Sequence, residues 1–306
     1  MPLSIVVPVY NAEQSLGPLT ERIQQVLVNQ YAPVELILVN DCSHDGSWLV
    51  IKELQRRYPW VRGINMMRNF GQHNAILCGI RGARYPVIVT MDDDLQNPPE
   101  EVPAMIEKLK EGFDVVYGTP HAQAHGFFRN LASTLTKLVL QGAMGAETAR
   151  NVSAFRVIRT QIRAAFSDYR SPYVSIDVLL TWGTKRFTAI RVRNDPRQSG
   201  VSNYTMRKLI IHALNMMTGF STLPLQISSI IGFAFMLFGI AIFLYVFGRY
   251  LVQGAVVPGF PFLASIIAIF SGIQLFALGV IGEYLARIHV RSMDQPSYVI
   301  QQESGD

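Results

Sequence analysis

Between Lys208 and Arg249 the chain has no Lys, Arg, Asp or Glu, and between Arg249 and Glu283 it again has none. Few folds tolerate two such runs. The first holds "LQISSIIGFAFMLFGIAIFLYVFGRYL" (225–251) and the second "FPFLASIIAIFSGIQLFALGVIGEYLA" (260–286), joined by a short Gly/Pro loop. Each exceeds the roughly 20 apolar residues that cross a bilayer. Two core helices are the bland alternative, but the pattern is that of a transmembrane hairpin. Arg207 and Lys208 precede it and Arg287 and Arg291 follow it, so the excess of cations places both ends in the cytoplasm, with only the loop after Arg249 outside. Low charge fits: 16% of the 306 residues are charged, against about a quarter in soluble proteins.

The rest of the chain reads differently. Residues 1–120 alternate strand and helix patterns: "LSIVVPVY", "VELILVND", "VRGINMMR", "YPVIVTMDDD" and "DVVYGT" as strands, with amphipathic helices between them. Repeated units of this kind predict an α/β fold with a mostly parallel sheet. Ligands bind such sheets beyond the C-terminal strand ends. Tyr10, Asp41, Arg68 and Asp92–Asp94 all fall there. The N-terminus has no basic region and is broken by Pro8 and Asn11, so it reads as a first strand and not as a signal peptide. Cys42 and Cys78 form no CxxC pair and read as reduced thiols. The net charge of +5 suits an anionic membrane surface or a phosphorylated substrate, and nothing points to nucleic acid.

"MDDDLQNPPEE" ends the fourth strand with three like charges. Three readings stand: a solvated turn, a general acid–base pair, or a site for a hard divalent cation such as Mg²⁺ or Mn²⁺. Segment 121–145 is amphipathic, either a core helix or a helix on the membrane surface, and 205–224 has the same character.

The ordered motifs "IVVPVYNAEQSL", "VNDCSHDGS", "RNFGQHNAI" and "MDDDLQNPPEEVP" resemble those of the family 2 glycosyltransferases with a GT-A fold, which is Rossmann-like. The closer resemblance is to membrane-bound polyprenyl-phosphate glycosyltransferases: dolichol-phosphate mannose synthase, bacterial glucosyl transferases of O-antigen modification, and undecaprenyl-phosphate aminoarabinose transferases. "RQSGVSNYTMRKLI", "GFSTLPL" and "GVIGEYLARIHV" extend it to the C-terminal part.

The resemblance implies a catalytic domain over 1–204, a juxtamembrane amphipathic helix over 205–224, spans at 225–251 and 260–286, and a cytoplasmic tail over 287–306. It implies an inverting transfer of sugar from a UDP- or dTDP-sugar to a polyprenyl phosphate, undecaprenyl phosphate by default, at the bacterial cytoplasmic (inner) membrane. Asp92, Asp94 and Gln96 match the family's Asp-x-Asp-x-Gln, with Asp94 and Gln96 at an Mg²⁺ or Mn²⁺ ion. Pro8, Tyr10, Asn11, Glu13, Asp41, Arg68, Asp92 and Asp93 are the expected nucleotide-sugar set, although strand alternation turns Asp93 to the opposite side. Arg129, Arg156, Arg197, Ser202, Tyr204 and Arg207 are the expected acceptor-phosphate set. Relatives often form tetramers, and a two-span anchor is compatible with a homo-tetramer.

One departure stands out. Many relatives carry an acid in the segment equivalent to "ARNVSAFRVIR", whereas here no carboxylate lies between Glu147 and Asp168. An acceptor phosphate with a second pKa near 6 needs little help from a base. A non-catalytic nucleotide-sugar-binding membrane scaffold or pseudoenzyme is the competing reading of that gap. A processive polysaccharide synthase would carry a Q-x-x-R-W motif and more spans, and the chain has neither.

Overall fold

The apolar runs "LSIVVPV" and "VELILVN" form strands β1 (Leu3–Val9) and β2 (Val34–Asn40), buried along their whole length. Burial on both faces explains why neither alternates. They pair in parallel, and β1 also pairs in parallel with β4 (Val87–Thr90), while β2 pairs with β3 (Val61–Met66). The computed structural model describes residues 1–120, 151–195, 223–253 and 259–304. With β5 (Val115–Pro120), β6 (Arg156–Arg159), β7 (Phe187–Val192) and β8 (Ile300–Ser304), the sheet has eight strands in the order β7-β5-β6-β4-β1-β2-β3-β8. Strands β6 and β8 run antiparallel to their neighbours.

Helices α1 (Leu16–Ile23), α2 (Ser47–Arg57), α3 (Gln72–Gly82) and α4 (Val102–Lys110) connect the first five strands, and α5 (Ile176–Gly183) precedes β7. Helix α3 lies very close to the sheet. A Cβ at Gly79 would stand 2.3 Å from Val6 Cγ1 and 3.3 Å from Val39 Cγ2, so only glycine fits at that crossing.

Polar side chains inside the sheet come in satisfied groups. Glu35, 4% exposed, accepts bonds from Ser4 Oγ at 2.6 Å, the Arg84 amide at 2.6 Å and Arg62 Nη1 at 2.8 Å. Arg62 reaches on to Glu303 at 2.7 Å and so holds β8 against β3. Within the segment expected as a tail over 287–306, Ile300–Ser304 is an edge strand of the sheet.

The chain divides into two units, Met1–Ala213 with Asp294–Asp306, and Leu214–Met293. The second contains helices α6 (Leu223–Gln253) and α7 (Phe260–Ser292), of 31 and 33 residues. Both are long and apolar enough to cross a membrane. They touch each other through Phe235 and Phe270, whose rings meet edge to face at 6.1 Å. Most of their large side chains face outward, Leu275 at 69% and Phe243 at 65% exposure. Apolar surface on this scale marks a face that a membrane or another protein covers.

The Gly79 contact sets a measurable constraint. Gly79→Ala forces α3 away from β1 and costs about 1–3 kcal/mol by overpacking. The expected result is a lower melting temperature in detergent, read by circular dichroism, with unchanged helix content.

Candidate active site

The strand ends of β1, β2 and β4 form one rim. Among the described residues, three of the four non-glycine residues with positive φ are found on it: Asn11 (54°), Cys42 (54°) and Leu95 (63°). Left-handed backbone is costly for such residues and gathers where a loop must aim side chains. Pro8 is tolerated in central strand β1 for a simple reason. The Val6 carbonyl faces β4 and accepts from Met91, while the Val9 carbonyl faces β2 and accepts from Asp41. Pro8 therefore faces β4 beyond the last paired residue, Thr90, and no ladder bond is lost.

The loops on the rim are tied by side chains. Asn11 accepts from the His44 amide at 2.9 Å, and its own amide donates to Ser43 Oγ at 3.0 Å. Glu13 accepts from the Gly46 amide at 3.0 Å, and its amide donates to Asp45 at 3.1 Å. Glu13 thus joins the loops after β1 and β2. Tyr10 is exposed, with its ring edge-on to His44. Asp45 Oδ1 accepts from both the amide and the hydroxyl of Ser47, a local turn that leads into α2.

Asp41 is only 3% exposed. Its two oxygens accept from the amides of Phe70 at 2.7 Å and Gly71 at 2.8 Å. Burial pushes its pKa up, and those two bonds partly offset it. Asp41 therefore clamps the turn into α3, where Gly71 at φ +95° supplies a conformation that side chains rarely adopt. Arg68 lies exposed in the same turn, its guanidinium 4.5 Å from the Phe70 ring centroid.

The clamp places Gln72 at the first position of α3, where its Nε2 donates to Asp92 at 2.6 Å. Asp93 does not turn away, as strand alternation suggested. β4 ends at Thr90, and Asp93 accepts from the Tyr10 amide at 3.2 Å, bridging β4 to β1. Burial, with repulsion from Asp92 and Asp94, outweighs that bond and raises its pKa from the usual 3.8 to about 7. Asp94 accepts from the Gln96 amide at 3.2 Å, and the Gln96 carbonyl accepts from the Asp195 amide at 3.1 Å. The Asp92–Asp94 cluster is thus an acceptor-rich group at a rim, as a hard cation requires. No group of three or more His, Cys, Asp or Glu converges on a metal position among the described residues. A cation held by one or two carboxylates and by substrate phosphates needs no such group, so the donor set fits.

Arg156 corrects an expectation. It is not free to meet an acceptor phosphate: it is 2% exposed and forms a two-pronged ion pair with Asp177, Nε to Oδ1 at 2.9 Å and Nη2 to Oδ2 at 3.1 Å. Tyr117 also donates to Asp177 Oδ1, at 3.1 Å. Arg129, Arg197, Ser202, Tyr204 and Arg207 lie outside the described residues, as do the amphipathic segment 121–145 and almost all of 205–224. Gln72 and Asp177 were missed in the sequence. Gln72 sits in the motif "RNFGQHNAI", where its contact with Asp92 depends on the folded turn, and no local pattern links Asp177 to Arg156.

Asp93 generates a pH prediction. Its folded-state pKa lies above its unfolded value, so the stability it contributes is present below 3.8 and is lost as pH rises through about 7. Asp93→Asn removes that loss. Without divalent cations the variant should melt roughly 3 °C or more above the parent at about pH 8, with a smaller gain at about pH 5. Thermal melts at the two pH values check this.

Comparison with known proteins follows the same lines. Residues 4–167 match the glycosyl transferase family 2 domain. Over 308 residues the chain is 32% identical to an undecaprenyl-phosphate 4-deoxy-4-formamido-L-arabinose transferase of Serratia proteamaculans, covering 99% of this chain and 94% of that one. It is 32% identical to an uncharacterized glycosyltransferase of Bacillus subtilis over 303 residues, 99% of this chain and 94% of that one. Among solved structures, a glucosyl-3-phosphoglycerate synthase from Mycobacterium tuberculosis, crystallised with Mn²⁺, UDP and phosphoglyceric acid, superposes with a TM-score of 0.52 at 15% identity, over 71% of this chain and 76% of that one. That likeness shows the fold, which is GT-A-like. The rim of carboxylates, the sheet that carries it and the near full-length match agree: the chain belongs to glycosyl transferase family 2 and is a glycosyltransferase.

Proposed function

We propose that this enzyme transfers a sugar from a nucleoside diphosphate donor to undecaprenyl phosphate at the cytoplasmic face of a membrane. The observation that carries the reading is the Asp92–Asp94 cluster, set by Gln72 and the Tyr10 amide on the rim of a family 2 domain. The acceptor is taken from the names of relatives matched along nearly the whole chain. The presence of Mn²⁺ and UDP in a fold neighbour supports a divalent cation and a UDP donor.

Tyr10, Asn11 and the Asp41-clamped turn would receive the base and ribose, and Arg68 stands exposed beside them for the donor. Asp94 and Gln96 would hold the cation, with Asp92 kept in place by Gln72. A bound Mg²⁺ or Mn²⁺ supplies positive charge that stabilises the departing diphosphate. The acceptor oxygen attacks the anomeric carbon opposite the leaving group, so configuration inverts. Asp177 does not serve as a base for this step, since Arg156 and Tyr117 occupy its oxygens. None is demanded, because a phosphate monoester is already largely dianionic at neutral pH.

The hairpin reading places α6 and α7 across the bilayer with the loop between them outside. The chain leaves the catalytic unit and returns to it as β8, so an even number of crossings is required. The cations flanking the hairpin orient it with the catalytic unit inside.

Two measurements test these readings. Purified protein supplied with Mn²⁺, undecaprenyl phosphate and a panel of UDP- and dTDP-sugars should give lipid-linked product with one donor. Asp94→Ala should reduce the rate by about 100-fold or more, on the scale of losing one group that stabilises transition-state charge. Product formation that is indifferent to both cation and Asp94 would sink the proposed site. In intact cells, Gln253→Cys should react with a membrane-impermeant maleimide while Ser304→Cys should not. The opposite pattern would reverse the orientation.

A further inference from the structure

Strand register puts Arg156 directly opposite Thr90, two residues before Asp92. Its Nη1 lies 3.3 Å from Thr90 Oγ1, and Asp92 adds to the attraction that keeps its guanidinium charged. A buried cation thus stands beside Thr90, two residues before a carboxylate cluster that is read above as a cation site. Left alone, it would be the natural partner of Asp92. Two facts prevent that. Asp177, in the first turn of α5, takes Nε and Nη2 in a fork. The neighbouring start of α5 is fixed to α3 by the Ile176 amide, which donates to His73 Nδ1 at 3.4 Å.

We propose that Asp177 is a positioning residue for the cation site: by neutralising and holding Arg156, it keeps the negative charge of Asp92 and its neighbours available to a divalent cation. This rests on the metal reading of that cluster. An Arg–Asp pair of this geometry is nearly neutral as seen from Asp92, whereas an unpaired guanidinium beside Thr90, two residues before Asp92, opposes a divalent cation through its charge. The pair therefore acts through charge, and its two halves act in opposite directions.

That opposition separates the proposal from a purely structural role. Asp177→Asn and Arg156→Met break the same ion pair. If the pair only braces β4 and β6, both changes loosen the site and both weaken the cation. If it acts through charge, Asp177→Asn weakens Mn²⁺ binding by about tenfold or more, and Arg156→Met tightens it by a few-fold. The double change Arg156→Met/Asp177→Leu should bind Mn²⁺ within about threefold of the parent, since it removes both charges and leaves an apolar contact in their place. Binding is read on the full-length protein in detergent with Mn²⁺ alone, from the electron paramagnetic resonance signal of free Mn²⁺, and melting curves establish that each variant is folded.

Weakening by both single changes, or a double variant as weak as Asp177→Asn, would overturn the proposal. So would an Arg156→Met protein with unchanged or poorer binding, which decides the matter even where Asp177→Asn does not fold. A parent protein that binds no Mn²⁺ at all would overturn the metal reading itself, a result distinct from equal responses of the two variants.

Discussion

Burial of β1 and β2 on both faces is the constraint from which the catalytic unit follows. A strand without a wet face cannot carry ionisable side chains along its length unless each finds a partner. Ser4, Glu35 and Arg62 meet that demand with a closed set of bonds, and Arg156 with Asp177 meets it near the end of β4. Every remaining ionisable group of these central strands is pushed to the strand ends. The rim is therefore where charge accumulates, and the same burial raises the pKa of Asp41 and of Asp93. Fold and site chemistry share one cause.

Much of this architecture was legible in the chain. Period and composition identified β1 to β5, the helices between them and the two apolar helices, because each is a local pattern of apolar residues. β6 and β8 were not legible. "RVIR" is short and flanked by arginines, and "IQQES" is polar; each is a strand only because a paired edge was waiting, β6 between β4 and β5 and β8 on β3. In the site, Tyr10, Asp41, Arg68 and Asp92–Asp94 were visible as polar residues at strand ends, and Asn11 through the family resemblance. What escaped was their wiring. The bond from Gln72 to Asp92 depends on the turn that Asp41 clamps, and the pairing of Arg156 with Asp177 joins residues 21 apart in sequence. The expectation that Arg156 meets phosphate failed for the same reason: a cation's partner is a fact of three dimensions.

The return strand gives the C-terminus a role that composition hid. β8 covers the edge of β3, and Arg62 ties its Glu303 to the buried Glu35. An edge paired within its own chain is no longer a template for another. It also binds the far end of the apolar hairpin back to the unit from which the hairpin departs. Loss of that strand would therefore disturb the sheet and free one end of the helical hairpin together.

The absence of an acid ahead of Phe155 takes on a different aspect beside the buried pair. Where an enzyme must deprotonate an alcohol, a carboxylate near the attacking oxygen has a task. A phosphate acceptor reverses the requirement, because it arrives as an anion and a further negative group would repel it. An ionised side chain near such a site is best cancelled by a partner, and the Arg156–Asp177 pair shows that cancellation in place. The electrostatic demand on the site is then to attract two phosphorylated substrates towards a cluster of three aspartates. On the proposed reading, a divalent cation would meet that demand for the donor.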